Sequence, residues 1–315
     1  MALVSQILAA SYAAVVNDKR KPANQWAENG FLREAEKQGF IKRESLGPTI
    51  EVTLDYQRNQ GAVFQASDLQ PLSLSKTLVL TSASYAVAEL VVPMTWSKKD
   101  EVMNSSTVQK VKLVASLIEN ALDTTDDFIE QYMFSANTNG FLGLPTHITV
   151  AGTGSDGGID SSTITMWRSQ TNTYVDDTDI ESAMTTTWNQ CAKGSGSKLL
   201  PTMIVSDAPT QALFEGTQQA NQRYVDTDEL KAGFKILGFK TSRYVFSQYA
   251  GNSGVQYFLN PKNLMLIVSK DAFRERLETQ KIPNATGYTS DIYSALQVVT
   301  NNRSRLGLTR TAAST

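Results

Sequence analysis

The sequence predicts an α+β protein, and three observations lead to that class. Ile50, Val52, Leu54 and Tyr56 alternate strictly with Glu51, Thr53, Asp55 and Gln57, the period-two pattern of a strand with one wet face. Residues 105–134 set Val108, Val111, Val114, Ile118, Ala121, Leu122, Ile129 and Tyr132 on one helical stripe. From about Gly143 to Val268, short strand-like segments are mixed with two further helical stretches.

Residues 1–48 read as an N-terminal arm. A short amphipathic helix carries Val4, Ile7, Leu8, Tyr12 and Val15, without the basic start of a signal peptide. The basic knot Lys19-Arg20-Lys21-Pro22 follows. A second helix then runs from Asn24 to Gln38 and ends at Gly39, and Gly47-Pro48 punctuates the chain.

Residues 49–97 read as a long hairpin. Its second strand spans Leu72 to Trp96, with Leu78, Leu80, Val87 and Val91 on one face and Val79, Ala86, Leu90 and Val92 on the other, so both faces call for cover. The tip between the strands is rich in Gln, Gly and Ala. An isolated hairpin is marginal in water, so this one needs another surface to lie on, such as a neighbouring subunit.

The helix at 105–134 would be about 45 Å long at 1.5 Å per residue, with Ser105 or Ser106 as its cap. Asp123, Asp126, Asp127 and Glu130 crowd its far end, where the macrodipole disfavours anions. A break near Asp123 into two stacked helices is therefore an open alternative. Further on, a helix opens with a capping box from Thr178 to Glu181, buries Ile180, Met184, Trp188 and Cys191, and ends at Gly194. TMIVS, KILGFKTSRYVFSQ, GVQYFL and LMLIVS read as strands, with a helix at APTQALFEGTQQAN. The tail, SALQVVTNNRSRLGLTRT, reads as a hairpin turning on Asn301-Asn302.

Composition limits the chemistry. With 29 basic and 31 acidic residues the net charge is -2, so no overall basic field points to nucleic acid. A single cysteine, Cys191, excludes an internal disulfide and a cysteine metal cluster. His147 is the only histidine, which leaves little for general-base or metal chemistry. The longest apolar run, near 77–92, is too short and too polar to span a bilayer.

Each local motif has a plainer reading. Gly152, Gly154 and Gly157 spell G-x-G-x-x-G, but the β-branched segment after them is unsuited to open a helix, so a solvent loop is expected in place of a dinucleotide site. Ser73 to Lys76 and Ser195 to Lys198 match S-x-x-K without partner motifs. Cys191 reads as core, His147 as a surface or boundary residue, and Asp126-Asp127 and Asp176-Asp177 as helix starts. No catalytic, cofactor-binding or metal-binding residue is assigned.

The order of parts, together with GFLGLPTHI after the long helix and GLTRTA near the end, resembles the major capsid proteins of tailed bacteriophages, the Hong Kong 97-type fold. The resemblance implies an N-arm at 1–48, an extended loop at 49–97, a peripheral domain with its spine helix at 98–142, an axial domain at 143–268 and a return to the peripheral domain at 269–315. It implies a structural, non-enzymatic protein without cofactors. Such a subunit forms pentamers and hexamers in an icosahedral virion shell around double-stranded DNA, assembled in the host cytoplasm. The 48-residue arm is too short for a fused scaffold, so a separate scaffold or none is expected, with a portal and a decoration protein as further partners that the resemblance allows. Contact with packaged DNA is non-specific, with Lys19, Arg20 and Lys21 facing inward or toward a neighbour. No lysine lies between Arg58 and Pro71, so no covalent cross-linking of the loop is expected. The alternatives are an encapsulin-type compartment shell and, from another class, a small-molecule enzyme with a nucleotide loop at Gly152–Gly157.

Overall fold

The structure, a computed structural model, describes residues 30–55, 62, 64, 79–103, 107–176, 178–192, 200–221, 238–251 and 254–312. The first helix and the basic knot of the arm, most of the hairpin tip and both S-x-x-K motifs lie outside them.

Helix α1 (Gly30–Lys37) buries Phe31, Leu32 and Ala35 in the main core, and the chain leaves it through Gly39 at φ +77°. Strand β1 (Ile41–Glu44) follows directly, where the sequence showed no strand signal. The hairpin is present as β2 (Thr49–Asp55) and β3 (Leu80–Ala86), paired from Thr49↔Ala86 to Asp55↔Leu80. Its root does not wait for a neighbour. Ile50, Leu54, Ala83 and Tyr85 pack on Ile159, Trp167, Met265, Ile267 and Val299 of the same chain, because strict alternation gives the ribbon one apolar face to bury.

Strand β4 (Ala88–Ser97) continues from β3 with a change of parity. In β3 the inward residues are Ala83 and Tyr85, and in β4 they are Ala88, Leu90, Val92 and Met94. Val87 interrupts the ladder, and the chain passes there from one core to another. One irregular residue exchanges the faces of everything beyond it. The run read as apolar on both sides is thus two strands, each with one wet face: Leu80 is 65% and Val91 48% exposed.

A short helix α2 (Lys98–Met103) leads to the spine, α3 (Thr107–Met133), which is continuous through Asp123. The expected alternative of a break is not taken because Asp126, Asp127 and Glu130 find tertiary partners. Asp126 pairs with Arg274, Asp127 accepts from the Tyr249 hydroxyl, and Glu130 accepts from the Leu32 amide and the Ser247 hydroxyl. On the stripe, Ile129 and Ala121 are buried, whereas Ile118 and Leu122 are half-buried against Met94 and Ile292. The side chains of Val111 and Val114 lie outside the described residues.

Small hairpins β5 (Asn137–Thr138)–β6 (Phe141–Leu142) and β7 (Ser155–Asp156)–β8 (Ile159–Asp160) flank the one-turn helix α4 (Leu144–His147). After β9 (Gln170–Tyr174), helix α5 (Ile180–Cys191) buries Ile180, Met184 and Cys191, with Trp188 packed beside them. The expected capping box is absent. The Thr178 hydroxyl donates to Asp176 instead, and the side chain of the N-cap Asp179 makes no capping bond. Strand β10 (Met203–Ser206), helix α6 (Ala208–Asn221), hairpin β11 (Gly238–Phe239)–β12 (Ser242–Phe246) and strand β13 (Val255–Leu259) complete this region. Then come β14 (Leu264–Ser269), the exposed pair β15 (Glu275–Arg276) and β16 (Gln280–Lys281), the 14-residue β17 (Gly287–Thr300) and β18 (Gly307–Thr311).

Two six-stranded sheets result. In the first, β17 is the spine: β4 pairs along one side of it, and β14, β15 and β16 divide the other, with β1 parallel to β14 at the edge. The second runs β11-β12-β10-β13-β18-β9. The tail is therefore no hairpin. A 3-10 turn at Arg303–Arg305, capped by Asn302, carries the chain from the first sheet to the second. Asn302 has φ -160°, not the left-handed value a tight turn would need. Leu264, Leu266 and Val268 of β14 face the main core, and Met265 and Ile267 face the hairpin root, which is why LMLIVS is apolar throughout. The opposite face of the second sheet, with Ile204 and Phe258, is covered by α5 and α6.

Candidate functional site

The glycine-rich stretch is neither a phosphate cradle nor a solvent loop. No strand precedes it, and no helix opens after it. It folds as the β7–β8 hairpin, whose two-residue turn is Gly157-Gly158 at φ +58° and +78°, the left-handed pair of a type I′ turn. A Cβ on Gly157 would stand 2.7 Å from the Cβ of Ala83 and 2.8 Å from the Tyr85 ring. The glycine lets the turn lie directly on β3, where the Ser84 amide donates to the Gly157 carbonyl at 3.0 Å.

Beneath this turn is a buried polar joint that the sequence did not reveal. His147, expected at the surface or at a boundary, is fully buried. Leu144 and His147 lie one turn apart in α4 and both face inward. His147 Nδ1 is 2.9 Å from Asp156 Oδ2, and Arg303 Nε donates to the His147 carbonyl at 2.7 Å. The same Nε is 3.7 Å from Asp156 Oδ2, and Nη1 donates to the Gly154 carbonyl at 3.1 Å. The Tyr85 ring meets the His147 ring edge-on, with centroids 5.8 Å apart, and its hydroxyl donates to the Thr300 carbonyl at 3.3 Å. Burial pulls the Arg303 guanidinium below its ordinary pKa, against the upward pull of Asp156, and burial pushes the Tyr85 hydroxyl up. His147 Nε2, Asp156 Oδ1 and Arg303 Nη2 have no hydrogen-bond partner. The four residues lie at positions 85, 147, 156 and 303, so no spacing rule could have linked them.

In this arrangement the Asp156 carboxylate lies between an imidazole and a guanidinium. Cys191 is buried beneath β18, as expected of a core residue. Asn284 occupies a left-handed turn position, and Asp176 accepts from Thr178 outside a helix rather than at its start. A shallow depression of about 300 Å³ is lined by Tyr174, Val175, Asp207, Pro209, Leu213 and Gly254. Its one buried carboxylate, Asp207, accepts from the amides of Thr210 and Gly254, at 2.9 and 3.3 Å. Among the described residues, no group of three or more His, Cys, Asp and Glu side chains could hold a metal ion, and no helix is long and apolar enough to cross a membrane.

A second polar cluster ties α1 to the end of the spine. Glu130 takes the Leu32 amide, in the first turn of α1, on Oε2 at 3.3 Å and the Ser247 hydroxyl on Oε1. Burial raises its pKa above the usual carboxylate range, against the lowering effect of those two donors. Glu34 of the same helix pairs with Arg243. Nothing in the local sequence marks this cap, because the carboxylate comes from a helix 98 residues away.

No protein-family model and no curated protein sequence matches the chain. Solved structures do. The capsid asymmetric unit of cyanophage A-1(L) aligns with TM-score 0.65 and 15% identity over 92% of this chain and 94% of that one. The capsid of Myoviridae phage XM1 gives 0.60 and 11% over 93% and 95%. The SrpI encapsulin of Synechococcus elongatus gives 0.57 and 7% over 94% of each chain. These likenesses run almost end to end, and they identify the architecture: the chain has the Hong Kong 97-type fold of tailed-phage major capsid proteins.

Proposed function

We propose that this protein is the structural subunit of a phage head, acting by self-assembly and without a catalytic site of its own. The observation behind the reading is the near-complete two-way coverage in the alignment with phage capsid chains. Two features support it. The hairpin's root is packed on its own body, while the only described side chain of its tip to speak of, Phe64, is fully exposed. The outward faces of β3 and β4 also leave Leu80 and Val91 open to solvent, as a surface meant for a neighbour would.

In this reading residues 1–48 are the arm, 49–97 the extended loop, 98–142 the spine region, 143–268 the axial domain and 269–315 the return. Copies meet head to tail in closed rings of five and six. The shell stands in the virion around double-stranded DNA, is built in the host cytoplasm, and takes its scaffold, portal and any decoration protein as separate chains. The encapsulin compartment is the second reading, favoured by the SrpI alignment.

Electron microscopy of the expressed chain tests the proposal. Closed shells are expected, from the chain alone or with its scaffold co-expressed, and a chain that stays a soluble monomer under both conditions overturns it. Nuclease-protected DNA in particles from infected cells favours the phage head, and an enclosed enzyme favours the compartment.

A further inference from the structure

We infer that Tyr85, His147, Asp156 and Arg303 form the joint that sets the angle at which the extended hairpin leaves the body, and so the geometry at which copies meet. The inference rests on the shell reading for its consequence, but not for its structural content.

The root of the hairpin is held in two ways. Ile50, Leu54 and Ala83 give it an apolar seat, which is non-directional and tolerates sliding. Direction comes from hydrogen bonds: Gln297 Nε2 donates to the Ala86 carbonyl at 2.7 Å, and two bonds lie at one place, Ser84 N–H to the Gly157 carbonyl and Tyr85 O–H to the Thr300 carbonyl. The acceptors of these last two bonds belong to the surroundings of one charged joint. Gly157 follows Asp156 directly, and Thr300 is three residues before Arg303. Arg303 bonds the His147 and Gly154 carbonyls, and so holds the glycine hairpin against the end of β17.

Stability alone does not account for such a joint. A buried ion pair is often no better than apolar residues of the same volume. Each buried polar atom left without a partner is a further loss, and here there are three. What a charged, directional contact supplies over an apolar one is a single orientation. Here it sits where the ribbon meets the body, and it gathers four segments from distant parts of the chain.

Two variants of the full chain test this. Tyr85→Phe removes one hydroxyl and keeps the ring contacts. Asp156→Asn removes the charge that neutralises Arg303. Met184→Ala, on the buried face of α5, serves as a control for simple destabilisation. In unassembled subunits, hydrogen exchange at the amides of residues 80–86 should speed up several-fold in the joint variants and not in the control. In assembly, the joint variants should give shells of mixed diameter, whereas the control should give fewer shells of normal diameter. Should Asp156→Asn not fold, Tyr85→Phe decides.

Unchanged exchange over residues 80–86, or uniform shells of wild-type diameter from folded joint variants, overturns the inference. A wild-type chain that enters no shell, alone or with its scaffold, overturns the shell reading instead, and the exchange experiment still decides the joint.

Discussion

Single residues hold the parts of this molecule that sequence patterns do not reach. Gly157 is one. Alanine there meets a left-handed φ and a contact of 2.7 Å with Ala83. The conformation alone costs about 1–2 kcal/mol, and the clash adds to it. Urea denaturation of Gly157→Ala should show that loss, while the same change at Gly158, which has open space around it, should show only the conformational share. Glu130 is another. Its folded pKa is raised, so the folded state holds the proton more tightly than the unfolded chain. The ionised carboxyl is thus a liability above the folded pKa, and that liability fades as pH falls toward the unfolded value of about 4.3. Glu130→Gln should therefore match or exceed the wild type in Tm at neutral pH, and its advantage should shrink on acidification. A falling wild-type Tm, relative to Gln, over the same descent would contradict this. Glu130→Ala, which leaves the Leu32 amide and the Ser247 hydroxyl without their acceptor, should cost about 1–3 kcal/mol.

At the scale of elements, periodic signals were readable and changes of period were not. Ile50–Asp55 alternates, and it is a strand. The stripe from 107 to 133 is one helix because its repeat never breaks, and the acids that argued for a break are satisfied by Arg274, Tyr249 and Ser247 from the far side of the chain. The run before it misled because parity flips at Val87, so two one-sided strands summed to one two-sided pattern. The tail misled because Asn301-Asn302 has turn chemistry, yet its flanking strands bond to different sheets. The spine gives a graded prediction. Ile129 is 2% exposed in the main core, whereas Ile118 is half-buried in a smaller cluster. Ile129→Ala should cost about 2–5 kcal/mol and Ile118→Ala clearly less, as chemical denaturation of the two variants can check. By the same logic Ile118→Asp should weaken the fold rather than abolish it.

For the whole molecule, the order of parts in the sequence was enough to suggest the architecture, since an arm, a long ribbon, a spine helix and a mixed module follow one another in the chain. The polar joint was not readable, because its members come together only through the crossing from the first sheet to the second. Deleting residues 58–71 removes none of the side chains in the described cores. That variant should fold with nearly the wild-type Tm and stay soluble without closing into shells, which calorimetry and microscopy together would establish. Normal particles from it would mean that the ribbon's tip has no part in assembly.

The position of β18 has a bearing on synthesis. It pairs with β13 on one side and β9 on the other, so the second sheet has a slot until Gly307–Thr311 arrives. A ribosome that has finished β13 must still make β14, the exposed pair β15–β16, the whole of β17 and the 3-10 turn before the strand that fills the slot exists. A nascent chain therefore cannot present a finished second sheet to its neighbours.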